Sequence, residues 1–418
     1  MTIGRIWHPF TQHALRPSLP VAVRADGAYI TTADGNRVLD AQSSWWVITH
    51  QHRHPKIVAA IKDQVDKLDQ VIFAEYTHEP AEQLGAKLVA LAPPGLTHVF
   101  FSDSGSTAVE VAIKMCLGYW RHTGQPRHRI TVMEHSYAGD TCGAMSVGAR
   151  GVFTETYEPL LFGVDRIPFP AAGQEEATLD AFETICRRGD SAALLIEPLV
   201  LGAGGMLMYS PTVLGALRQL CTIHGVHFIA DEVMTGWGRT GTMFACEQAG
   251  VSPDIVCYSK GLTGGALPLA VTLCSHDIFQ AHYSTDRRRT FFHSSSFTGN
   301  AIACAAALAN IEIWETEPVR ERIATLSARQ ARHIERFRDD SRFKNVRQTG
   351  TITAMDVKAA DAGYLSQVGP RLREFFREAN VLLRPLGNTV YVLPPYCVTD
   401  DDLTVVYEAI AAAASALT

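Results

Sequence analysis

From about residue 97 the chain alternates short apolar runs with longer segments of helical period, a pattern that few architectures accommodate. The runs read "HVFFSD", "RITVME", "AALLIEP", "VHFIADEV" and "DIVCYSK", with "LAVTLCS" close behind. Between them lie stretches such as "STAVEVAIKMCLGYW" and "SPTVLGALRQLCTIHG", the second ending on a glycine suited to a helix C-cap. Strand, helix, strand at this spacing predicts an α/β fold whose mostly parallel sheet is covered on both faces.

In such sheets ligands bind at the carboxyl ends of the strands. Asp103, Glu134, Glu197, Asp231 and Lys260 each directly follow an apolar run, with glycine-rich turns nearby. One polar residue there marks only where a strand meets solvent; the five together predict a site.

Lys260, in "DIVCYSKGLTGG", gives that site a chemistry. A lysine held in a partly apolar setting loses its proton more readily and can form a Schiff base with an aldehyde. Asp231, in "FIADEVMTGWGRTG", ends the preceding strand and is expected beside it. A Schiff-base lysine with a carboxylate able to pair a pyridinium nitrogen is what pyridoxal phosphate requires, because a protonated ring is the better electron sink. The phosphate should find a helix N-terminus, and "FFSDSGSTAVEVAIKM" supplies one at Gly105 and Ser106. An ordinary serine N-cap is the competing reading of that segment. "GAGG" at 202–205 lacks the G-x-G-x-x-G frame of a nicotinamide fold and reads as a turn.

Composition narrows the ligand class. A net charge of -6, with 47% apolar and 19% charged residues, suits a globular enzyme and argues against nucleic-acid binding, so "DRRRT" at 286–290 reads as a solvated or interface segment. No run reaches the roughly 18 apolar residues of a membrane helix, and "MTIGRIWHPFTQHALRP" does not read as a secretory signal, so the expected location is cytoplasmic. The nine cysteines include no C-x-x-C pair and are expected to be reduced core residues. "HQHRH", with His50, His52 and His54, has no carboxylate or cysteine following at ligand spacing, and no metal is predicted.

"DEVMTGWGRTGTMFACEQAG", "PDIVCYSKGLTGG", "DSGSTAVEVAIKM" and "SSSFTGNAIACAAA" resemble the subgroup III aminotransferases of the fold type I pyridoxal-phosphate enzymes, in the family's order and over almost the whole chain. "IWHPFTQ", "SSWW" at 43–46 and "LLRPLGNTVYVLPPY" are similar to the members that aminate 8-amino-7-oxononanoate to 7,8-diaminononanoate in biotin synthesis, with S-adenosylmethionine as amino donor. The resemblance implies that Lys260 holds pyridoxal 5′-phosphate and carries the substrate proton, and that Asp231 keeps the ring nitrogen protonated. It also implies that Tyr137 stacks on one ring face, Val233 packs the other, and Gly105 and Ser106 bind the phosphate. Ser296 would reach that phosphate from a second subunit of a homodimer.

Phe10, Trp45, Trp46, Arg239, Arg384 and Tyr391 fall at positions that imply substrate contact. A guanidinium at Arg384 suits the carboxylate at the far end of the acceptor, and the tryptophans suit its methylene chain and the adenosyl donor. Tyr391 stands where relatives acting on α-amino acids carry arginine. Phe10 lacks the hydroxyl of the family's "WHPY", Ala138 the imidazole of "YHG", and "HSSSF" replaces "HGPTF". These departures leave open another ω-aminotransferase, with a lysine, diamine or β-amino acid donor, or an aminomutase of the same fold. The expected architecture has residues 50–310 as a large cofactor-binding domain. Residues 1–49 form an N-terminal segment that joins residues 311–418 in a smaller α+β domain, and "IAAAASALT" closes the chain as a helix.

Overall fold

The computed structural model describes residues 5–16, 18–359 and 363–417, so the ends of the N-terminal segment and of the expected closing helix, at Thr418, lie outside the described residues. Strands β1 (Ala22–Asp26), β2 (Tyr29–Thr32) and β3 (Arg37–Asp40) form an antiparallel meander. The apolar runs then build the central sheet from β4 (Leu96–Ser102), β5 (Arg129–Met133), β6 (Asp165–Ile167) and β7 (Ser191–Ile196). A short antiparallel pair, β8 (Val200–Leu201) with β9 (Leu207–Met208), interrupts the alternation. The central sheet resumes with β10 (His227–Asp231), β11 (Ile255–Tyr258) and β12 (Ala270–Ser275).

The seven strands lie in the order β4-β12-β11-β10-β7-β5-β6. Only β12 runs against its neighbours, β11 and β4; the other pairings are parallel. Every residue of β7 and β11 is buried, as expected for strands with helices on both faces, and each enclosed Leu or Ile contributes about 2 kcal/mol to folding. Helix Pro211–His224 shows how local sequence sets the connections. Ser210 caps its first turn through the Val213 N–H, proline occupies N1, and Gly225 ends it at φ +59.

Beyond the sheet, helix Ala301–Thr316 runs unbroken, so a domain boundary at 310 falls inside it. Strands β13 (Phe343–Thr349), β14 (Ile352–Val357) and β16 (Thr389–Val392) make a separate antiparallel sheet. Strand β15 (Val381–Leu382) instead pairs in parallel with β3 and joins the two ends of the chain. Helix Asp400–Ser415 closes the described chain, capped by Thr399 and Asp402. Among the described residues no helix is long and apolar enough to cross a membrane.

Candidate active site

Strands β10 and β11 are neighbours, with Asp231 paired in register to Cys257, so Asp231 and Lys260 leave the sheet side by side. Asp231 is buried and accepts a hydrogen bond from the Val233 N–H (3.0 Å). Burial pushes its pKa up to about 6, against the restraining pull of that N–H and of Lys260. Burial likewise lowers the Lys260 pKa, while Asp231 and Glu197 partly offset the shift. The Lys260 Nζ lies 5.0 Å from the centre of the Trp46 ring. Glu197, just past β7, accepts from the backbone N–H of Tyr137 (3.0 Å) and of Gly202 (2.9 Å). Its pKa rises to about 8 through burial and the nearby Asp231 charge.

Three of the five strand-end groups therefore converge on one cavity, and two do not. Glu134 is exposed; its own N–H stays paired to the Ile167 carbonyl of β6 (2.9 Å). Asp103 follows β4, which β12 and β11 separate from β10, and lines a different cavity with Leu267 and Phe297.

That inner cavity, about 140 Å³, is bounded by Gly105, Ser106, Tyr137, Asp231, Val233 and Lys260 among others. The serine N-cap of helix Gly105–His122 is Ser104, whose Oγ accepts from the Thr107 N–H (3.3 Å), so Ser106 is not the cap. Ser106 Oγ instead accepts from the Asp140 N–H (3.2 Å). A Cβ at Gly105 would lie 2.6 Å from Val233 Cγ1, and one at Gly139, at φ +129, would collide with Ser106 Oγ. Glycine at both positions leaves room for an anion at the start of the helix; the Thr107 and Ala108 N–H groups are taken by Ser104, which leaves those of Gly105 and Ser106 to meet it. The Tyr137 hydroxyl donates to Asp140 Oδ1 (3.0 Å). A bare helix start for a phosphate, a buried carboxylate for a protonated ring nitrogen and an enclosed amine for an aldehyde fit pyridoxal phosphate.

The inner cavity opens onto an outer one of about 390 Å³ that shares Trp46, Tyr137 and Lys260 with it. Trp46 is buried and donates from Nε1 to the Tyr391 hydroxyl (3.1 Å), whereas Trp45 is 42% exposed. Phe10 packs at 5.6 Å from Trp45 and 5.9 Å from Phe153, and Phe153 lies 4.4 Å from Tyr364. Arg384 completes this aromatic wall. Its backbone N–H donates to Gln42 Oε1 (2.6 Å), its Nη2 donates to the Phe10 carbonyl (3.1 Å), and its guanidinium lies 5.5 Å from the Trp45 ring centre.

Two expected site residues lie off both cavities. Arg239 is 1% exposed and donates to the carbonyls of Ile48 (2.8 Å) and Pro394 (3.1 Å), bracing the Trp46–Ile48 segment from behind. Ser296 is exposed, and its carbonyl accepts from Gln70 Nε2 (3.3 Å). The histidines of "HQHRH" each have a separate partner: Asn310 for His50, Asp40 for His52 and Glu317 for His54. In "DRRRT" Arg288 pairs with Asp286 at the surface. Sequence reasoning missed Phe153 and Tyr364, which sit in irregular segments without periodicity.

The family model for class-III aminotransferases matches residues 11–414. An adenosylmethionine-8-amino-7-oxononanoate aminotransferase of Synechococcus elongatus is 45% identical, over 97% of each chain. One of Nitratidesulfovibrio vulgaris is 40% identical, over 99% of this chain and 81% of its own. Among solved structures, the enzyme of that name from Methanocaldococcus jannaschii superposes with a TM-score of 0.94 at 32% identity, covering 99% of this chain and 97% of its own. An amine transaminase from an uncultivated Pseudomonas species, in its PLP-bound form, has the same TM-score at 31% identity and covers 99% of both chains.

Proposed function

The chain belongs to the class-III aminotransferases, and from that membership we propose that it transfers the amino group of S-adenosylmethionine to 8-amino-7-oxononanoate, giving 7,8-diaminononanoate for biotin synthesis. The observation that carries this reading is the pairing of two cavities. Lys260 and Asp231 are enclosed with a bare helix start, and that chamber opens onto an aromatic channel with Arg384 in its wall.

Pyridoxal 5′-phosphate supplies an electron sink for the charge left when a Cα–H bond breaks. Lys260 would hold the cofactor through Nζ, and its amine would be the group that takes and returns the substrate's Cα proton. Its lowered pKa makes the neutral amine, the form that acts as a base, more available at neutral pH. Asp231, as a buried carboxylate, would keep the ring nitrogen protonated. Gly105 and Ser106 would hold the phosphate at the helix N-terminus, and Tyr137 and Val233, which line the same cavity, would confine the ring.

The acceptor's methylene chain packs along Trp45, Trp46 and Phe10, with Tyr391 beside Trp46, and its carboxylate reaches Arg384. One cavity serves both substrates in turn, so the kinetics are ping-pong. Arg239 contributes by fixing the Trp46 wall. Because Ser296 is exposed away from both cavities, we assign its phosphate contact to Ser296 of the partner subunit in a cytoplasmic homodimer. We propose a domain of residues 50–310 and a second of 1–49 with 311–418, the two sharing helix Ala301–Thr316.

Phe10 and Ala138 favour a second reading, in which lysine or another amine is the donor. The test follows the absorbance of the bound cofactor with donor alone and no acceptor. Conversion to the amino form by S-adenosylmethionine is expected; conversion by lysine alone would reassign the donor and keep the Lys260 chemistry.

A further inference from the structure

Lys260 carries a side chain, yet its backbone sits at φ +46, a conformation that persists only where the surroundings enforce it. The chain continues as a single 3₁₀ turn, Lys260–Thr263, ended by Gly264 at φ +63. A Cβ at Gly261 would lie 2.8 Å from Trp237 Cβ and 2.9 Å from Thr49 Cγ2, so the turn is wedged tightly against its neighbours. Its polar anchor comes from a distant part of the sequence. Asn310 Nδ2 donates to the carbonyls of both Gly261 (3.1 Å) and Leu262 (3.0 Å), the two residues after the lysine.

Asn310 is fully buried in the interior of helix Ala301–Thr316, among alanines and isoleucines. Asparagine is a poor helix former, and a buried amide is costly unless its hydrogen bonds are made. Here both N–H donors are used and the oxygen accepts once. The two carbonyls can only accept, which fixes Nδ2 toward the turn and leaves Oδ1 as the acceptor, 2.8 Å from His50 Nε2. His50 must therefore carry its proton on Nε2. Its Nδ1 is buried without a partner among the described residues, and burial pushes the His50 pKa down to about 4, so the neutral ring persists at physiological pH. The first histidine of "HQHRH" thus acts on the turn after Lys260.

We propose that Asn310, oriented by His50, is a positioning residue for Lys260: its amide clamps the turn that holds the lysine backbone left-handed and aims Nζ into the cavity between Asp231 and Trp46. This rests on Lys260 being the residue that holds the cofactor. The clamp lies outside both cavities, so its loss should change the lysine's aim and leave substrate binding largely untouched.

The test uses the full-length holoenzyme with Asn310→Leu, His50→Leu and His50→Gln. It reads kcat and KM, the pH midpoint of the absorbance of the lysine-bound cofactor, and the melting temperature of the cofactor-free protein. Asn310→Leu should lower kcat about 10- to 100-fold, the range expected for lost buried hydrogen bonds, and shift the pH midpoint, with both KM values within about threefold of the parent. His50→Leu should move kcat and the midpoint the same way by less. His50→Gln, whose Nε2–H can still reach Asn310 Oδ1, should restore both.

The proposal fails if Asn310→Leu and His50→Leu lower only the melting temperature, or if His50→Gln is as impaired as His50→Leu. Should Asn310→Leu not fold, the two His50 variants decide alone. Absorbance of the lysine-bound form that survives Lys260→Ala would overturn both this proposal and the assignment of Lys260. A normal Lys260→Ala control with unperturbed clamp variants would overturn this proposal only.

Discussion

Replacing Asp231 by asparagine should make the cofactor-free protein more stable and the enzyme much worse. The carboxyl is 4% exposed and titrates near pH 6 in the folded chain, against 3.8 ordinarily. A raised folded-state pKa means that the protonated form suits the fold. Its stabilisation is fully present below pH 3.8 and is lost as pH rises through about 6. The shift of about two units at 1.36 kcal/mol each gives a cost of about 3 kcal/mol above pH 6.

Asparagine is isosteric, can still accept from the Val233 N–H and never ionises, so it recovers up to about 3 kcal/mol at pH 8 and almost nothing at pH 3.5. Urea unfolding of cofactor-free wild type and Asp231→Asn across pH 4–8 measures this directly. The difference should open between pH 4 and 6 and then level off. In the role proposed for Asp231, bound cofactor should reverse the ranking, because a protonated ring nitrogen would pair with the carboxylate and gain far less from a neutral amide at the same place; the stabilisation by cofactor should shrink in the variant. A difference that is flat with pH, or a variant less stable at pH 8 without cofactor, would mean that burial does not favour the protonated Asp231.

Arg384→Met would remove the charge-assisted hydrogen bonds proposed for the acceptor carboxylate, worth about 2–4 kcal/mol, so kcat/KM for 8-amino-7-oxononanoate should fall about 30- to 1000-fold. The half-reaction with S-adenosylmethionine, followed by stopped-flow absorbance, should fall far less. Gly105→Ala puts a methyl 2.6 Å from Val233 Cγ1, which should cost about 1–3 kcal/mol in urea unfolding and loosen cofactor binding measured by equilibrium dialysis. Ser296→Ala should weaken cofactor affinity about tenfold. A mixed dimer with Lys260→Ala should then keep one intact site or none, depending on which chain carries each change.

The sheet was legible because its inner strands are buried on both faces: "AALLI" and "IVCY" cannot be read as half-exposed surfaces. Lys260 and Asp231 were legible for the same reason, since a charge at the end of a wholly apolar run has to be explained. The runs did not show which strand ends meet. Strand order is a long-range property, and β12 inserts between β4 and β11, carrying Asp103 away from Asp231. Ser104 and Ser106 are equally good caps by composition, and the Thr107 side chain decides between them by completing a box with Ser104. Phe153 and Tyr364 reach the outer cavity from irregular chain, where no period reports which way a side chain faces. Asn310 gave no local signal, because its meaning lies in Gly261 and Leu262, 49 and 48 residues earlier.

The proposed reaction moves one nitrogen atom from S-adenosylmethionine to 8-amino-7-oxononanoate. S-adenosylmethionine labelled with ¹⁵N at its α-amino group, mixed with unlabelled 8-amino-7-oxononanoate and the purified enzyme, tests it by mass spectrometry of the product. The expected product is 7,8-diaminononanoate carrying a single ¹⁵N at C7, with none from Lys260→Ala. Unlabelled product, or product formed only when lysine replaces S-adenosylmethionine, would contradict it.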